Sequence, residues 1–266
     1  MTFKLGGKTA AELHLLLLKD SQLPMTGQME SQLVRLPGRY GAYDFGSLTR
    51  EKVFELTCAI DARSSYDLQK KARELAAHLL DGKGRPKTLD LVFDMEPDKV
   101  YRVRLSNQVP LKRILSFGSF TLNLTAVDPF ASLLDYADEV GGLDSDVILD
   151  SDYRPEDSYT FSFTGPQTVE VNNFGSLDIG PVTEIVGSFS TLVITANGQT
   201  FRYNEAHSNG TLLIDHERYT AIKGETNKLA VTSGSFLLLQ PGVNQVSVSG
   251  NDLNCEIRFK FKPKFI

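Results

Sequence analysis

The sequence predicts a mainly β protein in two parts, with one α-helix in the first part. Three observations lead to this prediction. Strands with period-2 alternation dominate both halves, one segment alone combines helical periodicity with a capping signal, and the net charge changes sign near the middle. Residues 1–130 carry 19 Lys+Arg and 15 Asp+Glu, whereas residues 131–266 carry 9 and 18. We therefore expect one domain over residues 1–130 and a second over residues 131–266.

The predicted helix runs from about Tyr66 to Leu80. Ser64 is a suitable N-cap, and Asp67 three residues later completes a capping box. Gly82 is expected just beyond the helix C-terminus. His78 lies in the last turn, where it can interact favourably with the negative end of the helix dipole. Five apolar residues share one helical face, which should pack on a sheet: Leu68, Ala72, Leu75, Ala76 and Leu79.

The rest of the first part is predicted to be strands. Thr2–Leu5 and Thr88–Phe93 are short apolar runs, and Tyr101–Leu105 and Phe120–Thr125 alternate between apolar and polar residues. Ala11–Lys19 fits a helix or a buried strand, and a strand is favoured because Pro24 and Gly27 follow soon after. One polar face on the alternating strands indicates an antiparallel β-sandwich or barrel, with the helix laid against it.

A glycine-rich loop with three aromatic residues spans Leu36–Gly46, between predicted strands Gln32–Leu36 and Lys52–Ile60. Its proline and glycines require more than one turn. Its aromatic residues, which are costly to leave in water, are Tyr40, Tyr43 and Phe45. Two interpretations remain open: the loop packs on its own domain, or it packs on a neighbouring subunit.

The second part reads as an all-β sandwich or jelly roll, because short strands recur at regular spacing. Asn197-Gly198 and Asn209-Gly210 are strong hairpin signals. The acidic segment Leu134–Asp157 is predicted to be a connector. The predicted strands are Tyr159–Phe163, Thr168–Asn172, Pro181–Gly187, Thr191–Ala196, Gln199–Tyr203, Thr211–Asp215, Phe236–Gln240, Asn244–Ser249 and Cys255–Lys262.

Neither a metal site nor a cofactor is expected. His207 and His216 lie nine residues apart, and Glu205, Asp215 or Glu217 could add a third ligand. Zinc sites usually have tighter spacings, so two solvated histidines are the favoured interpretation. Asp144-Ser145-Asp146 and Asp150-Ser151-Asp152 lack the spacing of a calcium loop.

The sequence contains no G-x-S-x-G, P-loop or G-x-G-x-x-G motif, so no enzymatic activity is expected. No apolar run reaches the roughly 18 residues of a membrane helix, and no signal peptide is evident. Cys58 and Cys255 are expected to be reduced and buried.

Several runs, in order, carry a family resemblance. They are Pro37-Gly38-Arg39 with Gly41, Tyr43-Asp44 and Gly46; Asp128-Pro129-Phe130; Val171-Asn172-Asn173-Phe174-Gly175; Pro181–Gly187; and Leu239-Gln240-Pro241-Gly242-Val243-Asn244. With the single helix, this set resembles the distal tail proteins (Dit family) of long-tailed bacteriophages. The resemblance implies a tail-tube-like β-sandwich with one helix, followed by a galectin-like or jelly-roll β-sandwich.

The resemblance also implies a function. Such a protein forms a hexameric ring in the virion tail tip, after assembly in the host cytoplasm. The ring joins the tail tube protein to a tail-associated lysin, tail fibre or receptor-binding proteins. It encloses the DNA channel without binding nucleic acid specifically, and it has no membrane partner. Candidate subunit contacts are Pro37, Gly38, Arg39, Tyr40, Tyr43 and Phe45 in the aromatic loop, and Lys83, Arg85 and Lys87 in a basic loop.

Two alternatives remain open. One is a carbohydrate-binding adhesion protein that contacts the host surface directly. Trp is absent, which weakens that hypothesis, although Tyr153, Tyr159, Tyr203 and Tyr219 could stack on sugars. The other is the tail-tube protein itself, which is disfavoured because the second domain is large.

Overall fold

The computed structural model describes residues 2–139 and 158–266. The chain divides into two compact units, one ending at Ala131 and the other spanning Ser132–Phe265. Within the described residues the regular elements are strands, one α-helix and one short 3-10 helix, which confirms the predicted mainly β fold. Most of the acidic segment Leu134–Asp157 lies outside the described residues.

The first unit is built on one antiparallel sheet. Its elements are β1 (Phe3–Leu5), β2 (Lys8–Thr9), β3 (Leu16–Leu17), β4 (Met29–Val34), β5 (Tyr43–Thr49), β6 (Lys52–Asp61), α1 (Ser65–Leu79), β7 (Thr88–Phe93), β8 (Glu96–Leu105), β9 (Lys112–Ile114) and β10 (Phe117–Ala126). The sheet order is β2-β1-β7-β8-β10-β6-β3, and β9 adds to β10. Strands β4 and β5 pair only with each other, as a separate two-stranded sheet.

The longest pairing in this unit joins β6 to β10, from Lys52 opposite Ala126 to Asp61 opposite Phe117. Alternate residues of both strands are buried, as the period-2 pattern predicted. The predicted strand Ala11–Lys19 is largely wrong. Residues 10–14 form a turn, closed by the bond from Leu15 N to Ala10 O at 2.8 Å, and only Leu16–Leu17 pairs with β6.

The helix begins as predicted. Ser64 Oγ accepts from Asp67 N at 3.1 Å, while the Asp67 carboxylate accepts from Arg63 N at 3.0 Å. The prediction that Gly82 caps the C-terminus is wrong. The helix ends at Leu80 in extended geometry, with φ −113°, so no left-handed residue is needed there. His78 Nε2 lies 2.8 Å from Leu5 O and so ties the last turn to β1.

The second unit is a sandwich of two antiparallel sheets. Its elements are β11 (Ala131–Leu133, at the unit boundary), β12 (Thr160–Phe163), β13 (Gln167–Asn173), β14 (Val182–Ser188), β15 (Thr191–Ala196), β16 (Gln199–Tyr203), β17 (Thr211–Asp215), β18 (Thr220–Lys223), β19 (Thr226–Asn227), a 3-10 turn (Leu229–Val231), β20 (Thr232–Gly234), β21 (Gly242–Asn251), β22 (Asn254–Lys260) and β23 (Lys264–Phe265). One sheet has the order β12-β22-β14-β17-β18-β19 and the other β13-β21-β15-β16-β20. A single apolar core lies between them.

One hairpin prediction in this unit is correct and one is wrong. Asn197-Gly198 joins β15 to β16, with Ala196 opposite Gln199. Asn209-Gly210 is also a turn with positive φ, but it connects β16 to β17, which belong to different sheets. The predicted strand Phe236–Gln240 contributes only an isolated bridge, between Leu239 and Ile179.

Candidate assembly surface

The aromatic loop is part of an arm that stands apart from the main sheet of the first unit. We define the arm as Met29–Thr49, which comprises β4, β5 and their connection. Every residue from Gln28 to Glu51 is exposed. The predicted strand Lys52–Ile60 is correct within one residue, but the preceding strand is Met29–Val34 rather than Gln32–Leu36, and the strand that pairs with it was not predicted. The strand that follows the tip is Tyr43–Thr49, and Lys52–Asp61 already belongs to the main sheet.

The tip of the arm is shaped by local chemistry. Leu36-Pro37-Gly38-Arg39 is a tight turn, in which Arg39 N donates to Leu36 O at 3.3 Å and Gly38 has φ 81°. Pro at the second position and a left-handed Gly at the third are what a type II turn requires. The Arg39 guanidinium lies 4.4 Å from the centre of the Tyr43 ring. This cation–π contact orients both side chains on one side of the tip.

A β-bulge distorts the arm behind the tip. The pairing of β4 with β5 shifts between Ser31 and Leu33, opposite Phe45 and Gly46. Gly46 has φ 93°, and its N–H donates to Asp44 Oδ1 at 2.9 Å. A bulge twists the strand and re-aims its side chains, and it also limits edge-to-edge pairing.

The two chain segments at the base of the arm are joined to each other by a backbone hydrogen bond and an ion pair. Arg50 N donates to Gln28 O at 2.6 Å, and the Arg50 guanidinium pairs with the Glu30 carboxylate. Gly27 fits only as glycine, because an added Cβ would lie 2.6 Å from Arg50 O. The chain on both sides of the arm is therefore held, while the arm itself makes few contacts.

A buried lysine completes this anchor, and sequence reasoning missed it. Lys52 is 3% exposed, and its Nζ donates to Met25 O at 3.1 Å and to Tyr101 Oη at 3.2 Å. Burial lowers the pKa of Lys52, and the charge of Glu96 acts in the opposite direction. The only sequence signal for the burial of Lys52 was its position in β6, two residues before Phe54, in the alternating series of residues that the strand buries.

The exposed apolar surface of the arm is large. Tyr40 is 102% exposed, Phe45 70% and Tyr43 41%. Four aliphatic residues on the arm are about half exposed: Leu33, Val34, Leu36 and Leu48. Monomeric proteins seldom leave large apolar patches in water, and such patches usually mark interaction sites. The expectation that the loop packs on its own domain has no support in this structure.

The second predicted contact patch is the basic loop, and only some of its side chains are available for contact with another molecule. Asp81 Oδ1 accepts from Lys83 N and from Arg85 N, both at 2.8 Å, and this holds the loop against the helix end. Lys83 and Arg85 point to solvent. Lys87 instead donates its Nζ to Ala77 O at 2.9 Å and to His78 O, so it satisfies the last helical carbonyls. No hydrogen bond or ion pair among the described residues joins this loop to the arm.

The histidines of the second unit are core residues, so the prediction that they are solvated is wrong. His207 and His216 are each 1% exposed. His216 Nδ1 accepts from Leu237 N at 3.0 Å, and His216 Nε2 lies 3.1 Å from Thr183 Oγ1. Burial lowers the pKa of His207, and it lowers that of His216 to about 3.

Neither these histidines nor any other group of three or more His, Cys, Asp or Glu in the described residues could hold a metal ion. The aspartate pairs at 144–152 lie outside the described residues. Cys58 and Cys255 are free and buried, as predicted. Burial raises the pKa of both thiols, that of Cys58 to about 12. No described helix is long and apolar enough to cross a membrane.

Of the tyrosines considered for sugar stacking, two are buried and one is exposed. Tyr159 and Tyr203 are 4% and 1% exposed, so their ring faces are not available to a ligand. Tyr219 is 64% exposed and packs edge-on against Phe236, with ring centres 5.2 Å apart. Tyr153 lies outside the described residues.

Comparison with known proteins defines the class to which this fold and arm belong. The family model of the phage tail protein RIFT-related domain matches residues 9–126, which include the arm, the helix and most strands of the main sheet of the first unit. These residues are therefore similar to that phage tail domain. No significant match was found among curated protein sequences.

Solved structures extend the likeness beyond that domain. The Dit protein of phage SPP1, described as a paradigm of the hub adsorption apparatus in phages that infect Gram-positive bacteria, has 15% sequence identity and a TM-score of 0.72. The match covers 98% of this chain and 98% of that chain, so the two share their fold over nearly the full length. The resemblance to the distal tail proteins is confirmed by the domain match together with this shared fold.

Two structures of the phage P2 baseplate in its activated conformation, one with Ca and one with Sr, are more distant. Each has 10% identity to this chain, with TM-scores of 0.41 and 0.42. Each match covers 100% of this chain and 99% of the other chain.

Proposed function

We propose that this chain is a structural tail-tip protein that assembles into a closed ring of six copies. The ring contacts the tail tube protein on one side and the host-recognition proteins on the other. The first unit forms the ring. The number six rests on the family resemblance, and the exposed apolar side chains of the arm support the proposed assembly surface.

The observation that carries the proposal is the arm. The arm is a hairpin that is exposed along its whole length, with three aromatic residues at and behind its tip. Among the described strands, β4 and β5 pair only with each other. Burying each aromatic side chain would contribute on the order of 1.5–3 kcal/mol. Ring subunits repeat through heterologous contacts, so each subunit needs a projecting patch and a different receiving patch. The arm provides the projecting patch.

The test is a double substitution, Tyr40→Asp with Tyr43→Asp, analysed by native mass spectrometry. Wild-type protein should form the ring, alone or when tail partners are added, and the variant should fail to assemble while its circular dichroism is unchanged. Tyr66→Asp is the matched control, because Tyr66 is 82% exposed but lies on the helix rather than on the arm. Normal assembly of the double variant would refute the arm as the contact, although the ring itself could stand.

The carbohydrate-binding alternative is weaker. It depends on Tyr219 alone among the described tyrosines that were considered, since Tyr159 and Tyr203 are in the core. A glycan array probed with the full chain separates the two functions. Specific binding that is lost in Tyr219→Ala would favour direct adhesion to the host.

A further inference from the structure

An apolar cavity lies in the first unit between the helix, the main sheet and the segment that follows β8. Its volume is about 290 Å³ and it is open to solvent on one side. The lining includes Ile60 and Phe120 from the sheet, Ala72 and Ala76 from the helix, and Asn107 and Gln108 from the segment after β8. This cavity exists because only part of the helical apolar stripe is covered. Leu68, Leu75 and Leu79 are buried, but Ala76 remains exposed.

We propose that this cavity receives the side chain of Tyr40 from a second copy of this chain. The inference rests on the proposed ring and names the receiving site for the arm. Both features belong to the first unit, and both are unpartnered in the single chain.

Size and chemistry agree with this occupant. An engineered apolar cavity of about 150 Å³ is enough to hold benzene, so one aromatic ring fits the larger volume here. A tyrosine ring also carries a hydroxyl that needs a polar partner when it is buried. The exposed amides of Asn107 and Gln108 stand in the otherwise apolar lining and offer such partners.

The area of the arm also suits a contact between copies. Aromatic side chains bury about 150–250 Å² each, so the exposed fractions of Tyr40, Tyr43 and Phe45 correspond to about 300–500 Å². The half-exposed aliphatic residues of the arm add to this, which approaches the roughly 800 Å² per partner of a standard stable interface. A second copy is therefore a sufficient occupant.

The positions of the two features allow a head-to-tail arrangement. The arm emerges beside Lys52 at one end of β6, whereas Ile60 near the other end lines the cavity. Eight residues of strand span about 26 Å. A projecting group and a receiving cavity at different ends of one unit can link successive copies head to tail, which is the kind of contact that a ring requires.

The direct test is disulfide trapping between copies. Chains with Tyr40→Cys are mixed with tagged chains carrying Ala76→Cys, and the mixture is oxidised. Linked pairs of one untagged and one tagged chain are expected. The native thiols of Cys58 and Cys255 are buried and do not compete. Ala77→Cys is the matched control, because Ala77 is exposed on the same helix but does not line the cavity.

A second variant fills the cavity from within. Ala76→Phe should prevent ring assembly while the melting temperature stays at or above that of the wild type, and Ala77→Phe should assemble normally. Tyr40→Phe, which lacks only the hydroxyl, should weaken assembly by up to about tenfold.

The outcomes separate this inference from the ring itself. If Tyr40→Cys links to Ala76→Cys no more than to Ala77→Cys, the insertion is overturned, and a ring seen by native mass spectrometry would stand without it. If the specific link forms but the mass is that of a dimer, the insertion is supported and the ring is refuted. If Ala76→Phe is destabilised, the trapping result decides alone.

Discussion

Acidification should destabilise the second unit through His216. The ring of His216 is 1% exposed, and aromatic rings of Phe201 and Phe236 lie 5.4 and 5.6 Å from it. Because Nδ1 accepts from Leu237 N, the neutral imidazole carries its proton on Nε2 and donates to Thr183 Oγ1. A second proton would have to go to Nδ1, where it would face the Leu237 N–H and break that hydrogen bond.

The sign and size follow from linkage. Burial lowers the pKa of His216 from 6.5 to about 3, so the unfolded chain binds more protons than the folded protein between those values. Stability is therefore complete above about pH 6.5 and is lost as the pH falls. The slope is about 1.4 kcal/mol per pH unit, which amounts to about 2 kcal/mol between pH 7 and pH 5.

The assay is urea unfolding at pH 7 and at pH 5, on the wild type and on His216→Gln. Other titrating groups contribute to both proteins, so the difference between the two pH effects isolates His216. His14→Gln is the control, since the His14 side chain is 45% exposed, and it should behave as the wild type does. The reasoning is refuted if His216→Gln keeps the full pH effect, or if NMR shows the His216 ring titrating near pH 6.5 in the folded protein.

Five further outcomes are expected. Gly234→Ala should destabilise the protein by several kcal/mol, because its φ is 89° and an added Cβ would lie 2.1 Å from Thr200 O. Gly242→Ala, with φ 90° and open space around it, should cost only about 1 kcal/mol, and equal losses in urea unfolding would contradict the steric argument. Cys58 and Cys255 should react with a thiol reagent only on unfolding, and rapid labelling of native protein would show that they are accessible. Limited proteolysis should cut first between Phe130 and Asp157, whereas a first cut within residues 160–260 would contradict the predicted connector. A chelator should leave the melting temperature unchanged, and a fall of more than about 5 °C, near 1 kcal/mol, would reveal a metal requirement.

The sequence was sufficient for features that depend on neighbouring residues. The capping box at Ser64 requires only Asp67 three positions on, and the hairpin at Asn197-Gly198 requires only two residues that tolerate positive φ. Period-2 alternation placed most strands of the second unit within one or two residues of their observed ends. The ordered motifs were also enough for the family resemblance.

Tertiary structure alone decided which apolar residues are covered and by what. The aromatic residues of the arm and those of the core look alike in sequence, because periodicity reports which side of a strand is apolar and not whether a partner lies against it. His216 is buried because Thr183 and Leu237, each more than twenty residues away, satisfy both of its ring nitrogens. Lys52 is buried because Met25 O and Tyr101 Oη accept from its ammonium group. Ala76 lies on the predicted apolar stripe yet remains exposed, because it borders the open cavity, whereas Leu75 and Leu79 on either side of it are buried. Such outcomes depend on contacts between distant parts of the chain, which no local pattern encodes.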